Sequence, residues 1–239
     1  MSLSQPAAWT AEHHADVAGG WLRPAVFGAM DGLVTNIALI AGVGGGGLTP
    51  GNIVLAGTAG LVAGAISMAL GEYTSVRAQN EQIAAEIAKE RRELERHPEA
   101  EARELAASLA GRGIPEELAE QVATALRDRP EAALRMHVQA ELGVDLDDRP
   151  SPWVAAGSSF ACFSVGALVP LLPFLLGFGQ LWVALAAGGV GLFVTGVLVA
   201  RFTRRRWWRG GLRQLTLGAL AAAATYLVGR LVGSGVGLL

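Results

Sequence analysis

Asp31 is the only charged residue in an apolar stretch that runs from about Pro24 to Gly47. Holding a carboxylate in such a stretch costs about 3 kcal/mol on membrane-insertion scales. It therefore needs a hydrogen-bonding partner, a proton or a bound cation. Thr35 and Asn36 follow about one turn later and offer further oxygen atoms. Two readings stay open: a structural carboxylate tied into a helix bundle, and an ion or proton site. A second apolar stretch carries Ser67, Met68 and Glu72. Met68 and Glu72 are four residues apart and share one helix face. A thioether beside carboxylates suits a first-row transition ion better than Mg²⁺ or Ca²⁺, which prefer oxygen alone. A lone Met in a helix is ordinarily core packing, so Met68 gains meaning only from its acidic neighbours.

The densest carboxylates lie further on. Glu86, Glu90, Glu93 and His97 follow i, i+4, i+7, i+11 spacing, which is one helix face. Glu101 and Glu104 form an i, i+3 pair, and His137 and Glu141 an i, i+4 pair. Antiparallel packing of the helices that carry them would bring the three groups together. Convergent carboxylates repel one another and favour a cation between them. The alternative is a solvated face whose charges pair with Arg91, Arg92, Arg96 and Arg103.

These residues need elements to position them. Five stretches reach the roughly 20 apolar residues that cross a bilayer: about 24–47, 52–73, 153–176, 181–200 and 212–232. Between the second and third, composition changes to Ala, Glu, Arg and Leu. His97-Pro98, Gly111-Arg112-Gly113 and Arg129-Pro130 punctuate this segment, and prolines at 98, 115 and 130 suit helix starts. The second span is predicted to continue to about His97, followed by helices near 99–110, 115–127 and 130–142. The expected architecture is an all-α integral membrane protein. It divides into an N-terminal tail (1–23), spans one and two (24–75), an inserted helical domain (76–150) and spans three to five (151–239). Gly28-xxx-Gly32 and Gly60-xxx-Gly64 predict close helix contacts, within one protomer or across a dimer.

Charge is segregated along the chain. Only 17% of its 239 residues are charged, against about 25% in soluble domains. Residues 72–149 hold 18 of the 21 acidic side chains. Six arginines (201, 204, 205, 206, 209 and 213) crowd the link between spans four and five. The positive-inside rule makes that link cytosolic, and counting spans back puts residues 76–150 on the same side, with the N-terminus inside and the C-terminus outside. An arginine run can bind nucleic acid; one held between two spans meets anionic lipid instead. Gly44 to Gly47 resembles a phosphate loop but lacks the Lys-Ser/Thr that would complete it. The single cysteine, Cys162, excludes an internal disulfide and has no base nearby in sequence. His13, His14 and Asp16 read as a solvated tail, with no apolar run of the signal-peptide kind.

The phrases GAMDGLVTNIALIAGV in span one and GLVAGAISMALGEYTSV in span two resemble the vacuolar iron transporter family of plants, yeasts and bacteria. The similarity continues through ELERHPEAEARELAASLAGRGIPEELAEQVATAL, LRMHVQAELGV and GALVPLLPFLL, covering about 24–235 in the family's order. The resemblance implies a homodimer of five-helix protomers with a transport path along spans one and two. It implies export of Fe²⁺, and often Mn²⁺, from the cytosol in exchange for protons, with the inserted domain as a metal-binding domain and no prosthetic group. Carried over position by position, the membrane site falls on Asp31 and Met68, with Glu72 near the cytosolic end; Asn36 joins the expected path on its own position, about one turn beyond Asp31. The domain's metal ligands fall on Glu90, Glu93, Glu101, Glu104 and Glu141. One departure stands out. Some members carry a Met-Met pair before the last glutamate, whereas this chain reads Met136-His137-Val138. An imidazole from His137 would replace a sulfur ligand and make metal capture sensitive to pH near neutrality.

Two rivals remain at this stage. A membrane di-iron carboxylate enzyme would need Glu-x-x-His motifs on two helices, and none is present: Glu93 is followed at i+3 by Arg96, and Glu101 by Glu104. A membrane-anchored metal sensor or storage protein would leave the cost of Asp31 unexplained. Richness in Ala, Gly and Arg, together with short termini, suggests a bacterial plasma membrane.

Overall fold

The computed structural model describes residues 20–146 and 149–236. His13, His14 and Asp16 lie outside the described residues. Among those described, the chain forms eight α-helices: α1 (Leu22–Gly45), α2 (Pro50–Arg96), α3 (Pro98–Gly111), α4 (Glu116–Arg127), α5 (Pro130–Glu141), α6 (Pro152–Leu175), α7 (Leu181–Phe202) and α8 (Trp207–Val236). Five of them, α1, α2, α6, α7 and α8, are long and apolar enough to cross a membrane. The protein is an all-α integral membrane protein.

Of the prolines expected at helix starts, Pro98 and Pro130 take the first helical position and Pro115 is the N-cap of α4. Pro50, Pro98, Pro130 and Pro152 each open a helix, where the missing N–H would have no intrahelical partner anyway. Ser151 caps α6 by accepting the Val154 N–H at 3.5 Å. Helix α8 begins at Trp207, about five residues before the expected start of the fifth span. The arginine-rich link is therefore a tight turn, and its last arginines belong to the helix.

Helix α1 sits at the centre and touches α2, α6, α7 and α8. Small residues let the backbones approach. A Cβ at Gly32 would overlap the Phe163 carbonyl, and one at Gly166 the Ala29 carbonyl, so α1 and α6 meet backbone to backbone. Gly229 meets the Gly42 carbonyl and Gly233 that of Gly46, which seats α8 on α1 in the same way. Gly64 accommodates the Phe163 ring and Gly60 accommodates Leu39. Both small-xxx-small patterns thus serve contacts within one protomer.

The inserted domain is built on the far half of α2. From Tyr73 to Glu90 that helix advances about 25 Å. Helices α3 and α4 form a hairpin around Leu105, Leu109, Ala119 and Ala123. Helix α5 returns to α2 through Ile87, Leu134 and Val138. A fully buried side chain of this kind contributes about 1.5–3 kcal/mol. The Arg91–Glu131 ion pair at 2.7 Å joins α2 to α5 at the surface, and Arg112 donates to the Ala140 carbonyl. Where α6 begins, the Asn80 amide donates to the Pro150 carbonyl at 3.0 Å and fastens α2 to the return of the chain.

Candidate metal centre

Three helices deliver side chains to one point in the inserted domain. Glu90 comes from α2, Glu101 from the first turn of α3, and His137 and Glu141 from α5. The break at His97-Pro98 turns α3 back so that Glu101 faces Glu90. The Ile87–Leu134–Val138 contact holds α5 in register, which fixes the ring of His137 between the two glutamates. His137 Nδ1 lies 3.0 Å from Glu90 Oε1, 3.5 Å from Glu141 Oε1 and 3.8 Å from Glu101 Oε2. One ligand atom each from Glu90, Glu101 and His137 falls within 4.8 Å of the others. His137 is 1% exposed, and Glu90 and Glu101 are 8% exposed.

A cavity of about 110 Å³ opens beside this point, lined by Glu86, Glu90, Glu93, Glu101, Glu104 and Glu141 together with Lys89. Six carboxylates and one ammonium share its wall. Two of the four basic neighbours that would make a solvated face are engaged elsewhere. Arg91 pairs with Glu131, and Arg103 donates to the Glu99 carbonyl. Lys89, 3.9 Å from Glu93, makes the only Lys or Arg ion pair to these six glutamates among the described residues. Glu90 Oε1 and His137 Nδ1 are buried without a hydrogen bond despite their 3.0 Å approach. Burial first, and then the charges of Glu141, Glu101, Glu93 and Glu104, push the Glu90 carboxyl up to about 7. Glu101 is raised by the same burial and by Glu104, with His137 acting the other way. A divalent cation would relieve both the repulsion and the unpaired lone pairs. The donor set of carboxylate oxygens with one imidazole nitrogen suits a first-row transition ion.

The structure therefore gathers Glu90, Glu93, Glu101, Glu104, Glu141 and His137. It does not gather Met136, which is exposed and lies one position, about 100° of helix, away from the His137 face. His97 is exposed at the α2–α3 break and stands apart from the cavity. Lys89 is a site residue that the sequence reading misses; its i, i+4 spacing to Glu93 is the signal that could have found it.

In the membrane, Asp31 is half-buried and accepts a hydrogen bond from the Thr35 hydroxyl at 3.4 Å. No basic side chain pairs with it among the described residues. Ten residues separate it from Trp21, so it lies about 15 Å into the span, near the middle of a hydrocarbon core about 30 Å thick. Asn36 departs from expectation. It is 1% exposed, its amide donates to the Ala167 carbonyl at 2.6 Å, and its Oδ1 faces Gly57 and Gly60. Five residues turn it about 140° from Asp31, so it knits α1 to α6 and α2 instead of adding a ligand beside Asp31. Met68 packs against Ala65, Phe163 and Ala167. Glu72 sits next to Tyr73, whose ring lies 4.7 Å from that of Trp153. With Trp21, Trp207 and Trp208 this pair forms an aromatic band at one end of the bundle, as expected at a membrane interface. Cys162 is a free, half-buried thiol.

Comparison with known proteins gives a consistent result. The family model described as the VIT family matches residues 22–230. The chain is 33% identical over 231 residues to vacuolar iron transporter 1 of Arabidopsis thaliana, covering 92% of this chain and 91% of the relative. It is 36% identical over 229 residues to the vacuolar iron transporter of Acanthamoeba castellanii, covering 91% and 82%. It is 32% identical over 224 residues to vacuolar iron transporter 2 of Oryza sativa subsp. japonica, covering 91% and 89%.

Proposed function

The chain belongs to the VIT family, and from that premise we propose that it is an exporter of divalent transition-metal ions, with Fe²⁺ and Mn²⁺ as cargo, driven by proton antiport. The observation that carries this reading is the buried meeting of Glu90, Glu101 and His137, with no Lys or Arg ion pair to either glutamate among the described residues. The glutamate cluster collects M²⁺ from solution, and the imidazole of His137 biases it toward ions that accept nitrogen. Glu72, Met68 and Asp31 then form a descending series. Measured along their helices from the aromatic band, they lie about 2, 8 and 15 Å deep. Each offers the cargo a donor in turn, and Asp31 is the deepest carboxylate.

Proton exchange follows from ligand chemistry. Carboxylates bind metal in their ionised form, so a proton arriving at Asp31 from the far side disfavours the metal and releases it. The positive-inside rule puts the inserted domain and the arginine link in the cytosol, so metal taken up there leaves the cell interior. We assign the path to a homodimer interface between copies of α1 and α2. In support, α2 turns Leu55, Val62, Ile66 and Leu70 outward. The relatives are named as vacuolar proteins. The Ala, Gly and Arg richness of this chain favours a bacterial plasma membrane, where the same direction means efflux.

The test is metal-driven proton movement in proteoliposomes containing the full chain and an internal pH dye. Fe²⁺ or Mn²⁺ added on the side of the inserted domain is expected to enter while protons leave. Metal that binds the protein tightly yet never crosses, under any imposed pH gradient, would replace this reading with that of a membrane-anchored sensor or storage protein.

A further inference from the structure

The turn between α7 and α8 and the helix ends beside it carry six arginines, and the metal path uses none of them. From Arg149 to Leu239 the sequence contains no Asp, no Glu and no Lys. Arg201, Arg204, Arg205, Arg206, Arg209 and Arg213 are all exposed. None has a carboxylate within ion-pair distance among the described residues. The turn is compact. Arg205 donates its N–H to the Ala200 carbonyl at 2.8 Å, and Arg204 takes a φ of 52°, a left-handed conformation uncommon for a side chain this large. Three consecutive arginines are thereby held at the mouth of the α7–α8 hairpin.

Aromatic side chains make the patch a fixed surface. Trp207 meets Phe193 of α7 edge to face, with ring centroids 6.5 Å apart. The Arg209 guanidinium stacks over the Trp208 ring at 5.2 Å. Both tryptophans are substantially exposed. Because the turn joins two membrane-spanning helices, this surface lies at the lipid–water interface, where an indole keeps its ring in the acyl boundary. Four of the arginines surround the start of α8, where helix dipole and side-chain charge have the same sign. Among the described residues no carboxylate neutralises the patch, which leaves it open to an anion from outside the chain.

We infer that Arg204, Arg205, Arg206 and Arg209, with Trp207 and Trp208, form a binding site for the headgroup phosphate of an anionic phospholipid. The guanidinium fork pairs with phosphate oxygens two at a time, which a Lys ammonium does not do. The indoles lie against the glycerol and upper acyl chains. A topology signal alone would be served equally by Lys and would need no stacked aromatics. The site fastens the α7–α8 hairpin to the interface and leaves α1 and α2 free of it.

The experiment uses the full chain in neutral detergent, titrated with phosphatidylglycerol or phosphatidylcholine of equal chain length and read by native mass spectrometry. Wild type is compared with R204Q/R205Q/R206Q/R209Q, in which Arg201 and Arg213 remain to preserve orientation. Each arginine near an anionic surface strengthens attraction by about fivefold. The expected result is at least a tenfold preference for phosphatidylglycerol that falls with added salt and is lost in the variant. Equal binding of the two lipids by wild type, or an undiminished preference in the variant, would overturn the proposal. Displacement of phosphatidylglycerol by millimolar inorganic phosphate would also overturn it, by reducing the site to an anion site without lipid selectivity. If the quadruple variant does not fold, R205Q/R206Q and W207A/W208A each carry the same expectation with a smaller, partial loss of the preference.

Discussion

Replacing Glu90 by Gln is expected to stabilise the metal-free protein and at the same time weaken its grip on metal. Glu90 is held at about 7 by burial and by Glu141, Glu101, Glu93 and Glu104, whereas in the unfolded chain it titrates near 4.5. Below pH 4.5 it is protonated in both states, and its folding contribution is intact. Between 4.5 and 7 the unfolded chain ionises while the folded one keeps its proton, so stability falls as pH rises. Above about 7 the loss is complete. At about 1.4 kcal/mol per pH unit the gap amounts to about 3 kcal/mol. The cavity opens to solvent past exposed Glu104 and Glu141, which screens the charges and brings the expected figure to about 1–2 kcal/mol. The neutral amide of the E90Q variant removes the titration and nearly keeps the shape. Thermal unfolding of the full chain in detergent with chelator should therefore show E90Q melting about 2–8 °C higher than wild type at pH 8, with the difference vanishing at pH 4.5. Metal affinity should fall by at least about tenfold, because a proposed direct ligand matters no less than an outer one. An E90Q protein that melts lower than wild type at pH 8 would refute the electrostatic account of the cluster.

Four further outcomes follow from the structure. Metal binding by wild type should weaken as pH falls below about 7, since Glu90 and the raised Glu101 take up protons that compete with the ion; calorimetry at pH 5.5 and 7.5 reads this. A His137→Ala variant should bind Fe²⁺ about 10–100-fold more weakly at pH 7.5; an affinity matching wild type from pH 5.5 to 7.5 would remove His137 from the ligand set. Gly32→Ala should abolish or sharply reduce folded yield, because its methyl would strike the Phe163 backbone and overpacking there costs about 3 kcal/mol or more. Gly157→Ala, with open space around it, should leave yield unchanged as judged by size-exclusion chromatography.

Much of the fold could be read from apolar run length and punctuation, because both act locally. Pro98, Pro115 and Pro130 mark where α3, α4 and α5 begin, and the spans follow from hydrophobic length. The start of α8 could not be read in this way. Trp207 through Arg213 looks like a polar link, but the helix persists because Arg and Trp at an interface need no apolar surroundings. In the site, glutamate spacing indicated which residues share a face. It did not indicate how the faces meet. Convergence depends on α5 packing over Ile87, a contact between residues about 50 positions apart. Met136 and Asn36 show the cost of reading neighbours as partners. Each lies near a key residue in sequence, and helix rotation carries each to a different face.

The proposed transport requires that metal cross the bilayer by way of Asp31. The most direct measurement is Mn²⁺ and Fe²⁺ flux into proteoliposomes under an imposed proton gradient, for wild type and Asp31→Ala, with metal binding to each protein measured in parallel. Wild type is predicted to show gradient-dependent flux, and the variant a loss of flux with binding at the Glu90–His137 centre retained. Equal flux in the two proteins would contradict a path through Asp31.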